Sequence, residues 1–160
     1  FVNINLGGST LNHPDFQSRL REAIRHFDFP WNKLVLEVTE TSAVGDLAQA
    51  QDFINHCRQI GIRVALDDFG TGMASFEYLK HLPLDVVKID GSFVRDMLTD
   101  PVDYAMVSYA CDISRLQGRE TIAEFVEEQG HFDALTRIGI DYAQGYFLDK
   151  PMPLSDHLHK

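Results

Sequence analysis

The residues with most chemical capacity in this chain are carboxylates planted in apolar runs. Glu37 interrupts Leu34-Val35-Leu36-Glu37-Val38, and Asp67-Asp68 ends Val64-Ala65-Leu66. A buried charge without a partner is costly, so each of these positions demands a cation or hydrogen bonds. If the runs are neighbouring strands, Asn5, Glu37, Asp67, Asp68 and Glu124 converge on one rim. Such a set offers hard oxygen ligands with no imidazole or thiolate, which suits Mg²⁺ or Mn²⁺ better than zinc. Adjacent aspartates project differently, so Asp67 is suited to bridge two ions while Asp68 holds one. Two divalent ions about 4 Å apart serve phosphodiester hydrolysis, by lowering the pKa of water and neutralising charge in the transition state. Lys88, one strand later, is placed to orient that water or offset phosphate charge, and Glu124 to ligate metal or accept a proton.

The elements that must position these groups alternate along the chain. Short β-rich runs are expected at Phe1–Leu6, Leu34–Thr39, Arg63–Asp67, Asp85–Ile89, Glu120–Glu124 and, more weakly patterned, Tyr142–Phe147. Helical spacing separates them. Pro14 opens a segment with Phe16, Leu20, Ile24 and Phe27. A second runs from about Asp46 to a stop at Gly61, with Leu47, Ala50, Phe53, Ile54, Cys57 and Ile60 on one face. Others span Ser75–Leu82, Asp100-Pro101 to Gly118, carrying Val102, Ala105, Met106, Tyr109, Ile113 and Leu116, and Glu128–Ile138 before Gly139.

Strand and helix in strict alternation imply parallel βα units, which close as an open doubly wound sheet or as a (β/α)₈ barrel. Polar residues stand near the C-terminal end of every predicted strand: Asn5; Glu37 and Glu40; Asp67 and Asp68; Lys88 and Asp90; Glu124 and Glu127; Gln144. An open sheet would gather them at one switch point, so the fold class expected is α/β, a TIM-like barrel. Six strands cannot close eight, and a barrel usually needs about 200 residues. The expectation is therefore a barrel incomplete at its N-terminus, cut from a longer chain, forming a single domain over residues 1–160 with no internal boundary.

Composition limits what this rim can bind. The chain has 160 residues and carries 24 Asp+Glu against 14 Lys+Arg, a net charge of −10, which disfavours DNA or RNA polymers as partners. Binding phosphate with this balance calls for an intervening metal. Two distant cysteines, Cys57 and Cys111, frame neither a zinc site nor a disulfide network and fit a reducing compartment. No apolar run reaches membrane-spanning length.

Plainer readings compete at single positions. Glu37 could pair with Arg63 or Lys88, Asp67-Asp68 could cap the Gly70-Thr71-Gly72 turn, Lys88 could snorkel, and Glu127 and Glu128 could be solvated helix starters. Asp68-Phe69-Gly70 matches a kinase metal triplet without the companion motifs. Gly7-Gly8-Ser9 reads as a strand-to-helix turn, the seven histidines as surface residues, and Cys57 as core. Repetition of the same anomaly at strand after strand favours the site.

Six segments in order resemble the EAL-domain cyclic di-GMP phosphodiesterases: Asn5 in its strand, Glu37-Val38-Thr39-Glu40, Asp67-Asp68-Phe69-Gly70-Thr71-Gly72, Lys88-Ile89-Asp90, Ala123-Glu124-Phe125-Val126-Glu127 and Gln144-Gly145-Tyr146. The resemblance implies hydrolysis of cyclic di-GMP to linear pGpG with two Mg²⁺ or Mn²⁺ ions and inhibition by Ca²⁺. It implies metal ligation by Asn5, Glu37, Asp67, Asp68 and Glu124, with Lys88 and Glu124 catalytic. Glu40, Asp90, Glu127 and Gln144 would support the site or the substrate, Glu40 by bracing the loop that starts at Asp68. That loop and the helix after it would form a homodimer contact. The implied location is the cytoplasm, with no membrane contact by this segment, although upstream segments could anchor the parent protein.

Two departures matter. Phe125 replaces the family's usual glycine, an exchange expected to repack the loop without removing a ligand. The Glu-Ala-Leu tripeptide that names the family does not occur in this sequence, and its glutamate is a metal ligand, so hydrolysis by this stretch alone is expected to be impaired. A degenerate relative acting as a cyclic di-GMP receptor or a dimerisation module is the competing reading.

Overall fold

The computed structural model describes residues 1–11, 13, 15–45, 47–71 and 76–157. Six strands, β1 (Val2–Leu6), β2 (Leu34–Thr39), β3 (Arg63–Phe69), β4 (Val86–Ile89), β5 (Glu120–Ala123) and β6 (Tyr142–Ala143), form one sheet. Every strand pairs in parallel with the next in sequence, so the order is β1-β2-β3-β4-β5-β6. That order decides between the two expected architectures. A doubly wound sheet reverses direction at a switch point, whereas unbroken order with right-handed crossovers puts every helix on one face and curls the sheet. The result is the curled portion of a barrel.

Helices α1 (Gly8–Leu11), α2 (Phe16–His26), α3 (Glu40–Gly45), α4 (Leu47–Gln59), α5 (Phe76–His81), α6 (Gly91–Asp96), α7 (Pro101–Leu116), α8 (Gln129–Ile138) and α9 (Leu154–His157) fill the connections, with a 3₁₀ turn at Trp31–Lys33. Two apolar clusters lie on opposite faces of the sheet. The larger joins outward strand residues such as Leu36, Val38, Leu66, Val87 and Ile89 to Phe53, Ile54 and Cys57 of α4 and Val107 and Ala110 of α7. The smaller contains only Val35, Ala65 and Val86, with Ile122 against them, and fills the concave face. Strand alternation then carries Glu37, Asp67, Lys88 and Glu124, each two residues further along, onto that same face one layer nearer the mouth.

Carboxylates also fix strand starts. Asp85 Oδ2 accepts from Val64 N at 3.0 Å, and Asp141 Oδ2 accepts from Thr121 N at 2.8 Å. Each ties the residue ahead of one strand to the strand before it. Asp100 caps α7 by accepting from Val102 N at 2.7 Å, with Pro101 in the first turn, where its missing N–H costs nothing.

Several boundaries differ from the sequence expectation. β3 runs on to Phe69, β4 starts at Val86, β5 stops at Ala123, and β6 is only two residues long because the chain turns at Gln144-Gly145. Phe27 is the C-terminal cap of α2 and is exposed, so it does not extend that helix's apolar stripe. On α7 the buried stripe is Val107, Ala110, Cys111 and Ser114, whereas Val102, Tyr109 and Leu116 face outward. His131 is 5% exposed and corrects the reading of the histidines as surface residues. The helix starts expected at Pro14, Asp46 and Ser75 lie outside the described residues. Among the described residues, no helix is long and apolar enough to cross a membrane.

Candidate active site

Lys88 is the centre of the concave rim. Its ammonium Nζ donates to Asp67 Oδ1 at 2.7 Å and to Glu37 Oε2 at 3.0 Å, and it lies 2.7 Å from Glu124 Oε1. Lys88 and Glu37 are buried, while Asp67 and Glu124 are partly so. Burial alone would lower the Lys88 pKa, but the bonds from Asp67, Glu124 and Glu37 outweigh it and hold the ammonium above its ordinary value. Lys88 is therefore firmly charged and does not snorkel. Arg63 instead pairs with Glu120 on the layer beneath, on the far side of Val35, Ala65 and Val86.

Around Lys88 the rim is still short of positive charge. Carboxylate oxygens of Asp67, Asp68 and Glu124 lie within 4.8 Å of one another. Desolvation raises the Glu124 pKa against the pull of Lys88, and desolvation followed by repulsion from Asp67 and Asp90 raises that of Asp68. One ammonium thus faces four carboxylates, counting Glu37. A cation of higher charge fits this surplus, and all the donors are hard oxygen.

Two consecutive aspartates reach one rim because the strand is irregular there. Leu66 pairs with Val87 and Phe69 with Ile89, so β3 spends one residue more than β4 over the same span. This bulge coincides with Asp68, whose φ is 56°. An extra residue in the left-handed region re-aims the side chain that follows Asp67, which would otherwise point to the helical layer. The turn beyond is closed by the Asp68 carbonyl, which accepts from Thr71 N at 3.3 Å and Thr71 Oγ1 at 3.0 Å. The buried carboxylate of Glu40 accepts from Gly70 N at 3.0 Å. Gly70 has φ 104°, and a Cβ there would sit 2.6 Å from the Phe93 ring, so the position needs glycine twice over.

The remaining expected residues are more dispersed. Asn5 lies opposite Glu37 in the β1–β2 register, but it is Asn3 Nδ2 that donates to Glu37 Oε1, at 2.6 Å. Asn3 went unnoticed in the sequence, although it shares Asn5's face two residues earlier. Asp90 uses its carboxylate to cap α6, accepting from Ser92 N at 2.9 Å. Glu127 and Gln144 are exposed and line a cleft of about 220 Å³ with Glu124, Phe125, Gly145 and Tyr146. Gly145 presses so close to the Val126 backbone that a Cβ would lie 2.2 Å from the Val126 carbonyl oxygen. The Gln144 loop is thereby held flat against the end of β5. The dimer segment expected after Asp68 includes residues 72–75, which lie outside the described residues.

A family model for the EAL domain matches residues 1–151. The chain belongs to the EAL-domain family. It is 41% identical over 156 residues to the cyclic di-GMP phosphodiesterase PdeB of Shewanella oneidensis, an alignment covering 98% of this chain and 18% of that protein. A solved structure of the MucR phosphodiesterase from Pseudomonas aeruginosa, in complex with c-di-GMP, superposes with a TM-score of 0.91 at 32% identity, covering 97% of this chain and 63% of that one. A manganese and cyclic di-GMP complex of Klebsiella pneumoniae BlrP1 superposes with a TM-score of 0.82 at 28% identity, covering 90% of this chain and 37% of that one. The chain spans about a fifth of the length of the curated relatives it matches. The EAL fold of these neighbours agrees with the incomplete parallel barrel described here.

Proposed function

We propose that this EAL chain carries the acidic half of a site that hydrolyses cyclic di-GMP to linear pGpG. The observation that carries the reading is the clustering of Asp67, Asp68 and Glu124 beside the charged Lys88, at the mouth of a curled parallel sheet. The partner structures of MucR and BlrP1 with cyclic di-GMP support the substrate class. Asp67, Asp68, Glu124 and Glu37, with Asn5 at the open edge, are the residues that would hold Mg²⁺ or Mn²⁺. Two such ions would supply a lowered pKa for water and charge neutralisation at phosphorus.

The chain's own groups complete the chemistry. Lys88 would orient the attacking water by turning toward it one of the N–H groups now given to Glu37, Asp67 and Glu124, while its charge offsets the phosphate. Glu124 receives the water proton at a carboxylate whose raised pKa makes it a better base than an exposed glutamate. Water's oxygen bonds to phosphorus, one P–O3′ ester bond breaks, and the leaving 3′-oxygen takes up a proton from solvent water, while Glu124 later returns its proton to solvent. Glu127 and Gln144, in the adjoining cleft, face the nucleoside portions, and Glu40 fixes the Asp68 loop through Gly70. Ca²⁺ accepts longer and more variable bonds, so it would occupy the carboxylates without holding the in-line geometry.

The sequence contains no Glu-Ala-Leu tripeptide, and we place the missing ligand it would supply in the longer protein. A second copy of the chain, met through the segment after Asp68, is the proposed protein partner, and the cytoplasm the proposed compartment. The deciding experiment follows cyclic di-GMP and pGpG chromatographically, with the full-length protein in Mn²⁺, Mg²⁺ and Ca²⁺. Turnover in the first two ions, abolished by Asp67→Asn and by Glu124→Gln and slowed by Ca²⁺, is expected. Tight binding with no pGpG from the wild type would leave a receptor. The chain alone is expected to turn over far more slowly, and equal rates would overturn that part.

A further inference from the structure

Glu37 is held at both oxygens of its carboxylate. The residue is 5% exposed, Oε2 accepts from Lys88 Nζ at 3.0 Å, and Oε1 accepts from Asn3 Nδ2 at 2.6 Å. The Asn3 amide has no choice of orientation, because an ionised carboxylate only accepts and the nitrogen must face it. The last torsion of a glutamate is broad, so a carboxylate bonded at one oxygen can still turn about it. A donor on each oxygen fixes the plane. The two donors also differ in kind: Lys88 divides its ammonium among Glu37, Asp67 and Glu124, whereas the Asn3 amide is given to Glu37.

The stagger of the sheet explains why Asn3 makes this contact and Asn5 does not. Asn3 is the register partner of Val35, two residues before Glu37, just as Glu37 is the register partner of Ala65, two residues before Asp67. Asn3 thus stands to Glu37 as Glu37 stands to Asp67, and it continues the rim layer onto β1, with Asn5 one inward-facing position nearer the mouth. We propose that Asn3 is a positioning residue for the metal-dependent reaction: it holds the Glu37 carboxylate in the plane from which that group serves the rim, without itself touching the reacting atoms. The inference rests on the hydrolytic reading above. Outer donors of this kind set the direction of a ligand's lone pairs, and losing one weakens metal binding about 10- to 100-fold. A neutral amide does so without bringing a second positive charge to the layer. Lysine or arginine in its place would repel the divalent ion that the carboxylates are gathered to hold.

The test uses the full-length protein, with Mn²⁺ affinity measured by calorimetry in the absence of nucleotide. Asn3→Leu keeps the size of the side chain and removes the donor, and is expected to weaken Mn²⁺ binding about tenfold. Asn3→Ser, too short to reach Glu37 directly, is expected to do the same, so a leucine variant that fails to fold does not leave the question open. In turnover, the Mn²⁺ concentration for half-maximal rate should rise in step, while KM for cyclic di-GMP at saturating Mn²⁺ moves by less than about twofold. The same exchanges are then made beside Glu37→Gln, where their effect on Mn²⁺ affinity should fall below about twofold, because residues that act through one another are not additive. Unchanged Mn²⁺ affinity in the Asn3 variants would overturn the proposal. Equal weakening with and without Glu37→Gln would overturn it too, since Asn3 would then act independently of that carboxylate. A wild type that binds Mn²⁺ but releases no pGpG would instead sink the hydrolytic reading, with the affinity series still deciding the role of Asn3, and a wild type that binds no Mn²⁺ would end both.

Discussion

Lys88 is the residue on which the rim's electrostatics turn. Removing one partner of a buried ion cluster costs about 3–5 kcal/mol, because the charges left behind lose their compensation in low dielectric. Lys88→Met should therefore lower stability by roughly that amount in urea unfolding. Excess Mn²⁺ should recover more of it than matched NaCl does, since a divalent ion can replace the ammonium among Glu37, Asp67 and Glu124. A loss below about 1 kcal/mol would mean that the three carboxylates are already solvated or protonated. Cys57 offers a second test at this level. Burial, with a smaller push from Asp85, raises its thiol from 9.0 to about 12. Between those values the unfolded chain releases a proton that the folded chain keeps. Stability is fully present below pH 9 and falls as pH rises, by about 1.4 kcal/mol per unit. Urea melts at pH 8, 9.5 and 10.3 should show at least that slope, because burial also raises the Cys111 thiol and adds a loss of the same sign, and Cys57→Ala, though weaker at every pH, should be flatter. The range stops short of 10.5, where Lys88, also raised, would add a loss of the same sign.

At the level of strands and loops, much could be read from the chain because alternation fixes faces: Glu37, Asp67 and Lys88 share a side with Val35, Ala65 and Val86 by period alone. What could not be read is whatever breaks the period. Asp68 reaches the rim only through the β3 bulge, and Asn3, rather than Asn5, bonds Glu37 because register and side-chain reach, not residue type, set that contact. Phe27 and the exposed residues of α7 were misjudged for a related reason. An apolar residue on a helix has the spacing of a stripe whether or not anything packs on it. The bulge makes a definite prediction at Gly70. Gly70→Ala must adopt φ 104° and displace the Phe93 ring, so it should cost about 2 kcal/mol or more and loosen the Asp68 turn. Pairing it with Phe93→Ala should remove the steric part and leave the backbone part. Amide hydrogen exchange at Gly70, whose N–H is held by Glu40, measures the loosening directly.

For the molecule as a whole, the βα alternation left a doubly wound sheet and a barrel both open, the polar residues at the strand ends favoured the barrel, and the unbroken strand order decides for it. The same architecture concentrates charge: helices take one face, so the carboxylates of three strands are left facing one another across the concavity, with Lys88 from a fourth among them. A chain of net charge −10 that gathers its carboxylates in this way stores repulsion that Lys88 relieves in part and that a bound cation would relieve further. Folding should consequently be linked to divalent ions. At a free Mn²⁺ concentration one hundred times Kd the gain is about 2.7 kcal/mol, which for a domain of this size raises Tm by about 5–10 °C. The shift should grow logarithmically with Mn²⁺, persist at constant ionic strength, and shrink in Asp67→Asn and Asp68→Asn, where a ligand is lost without a change of shape. A Tm that follows ionic strength alone, with Na⁺ as effective as Mn²⁺, would mean that the rim only screens its charge and builds no metal site.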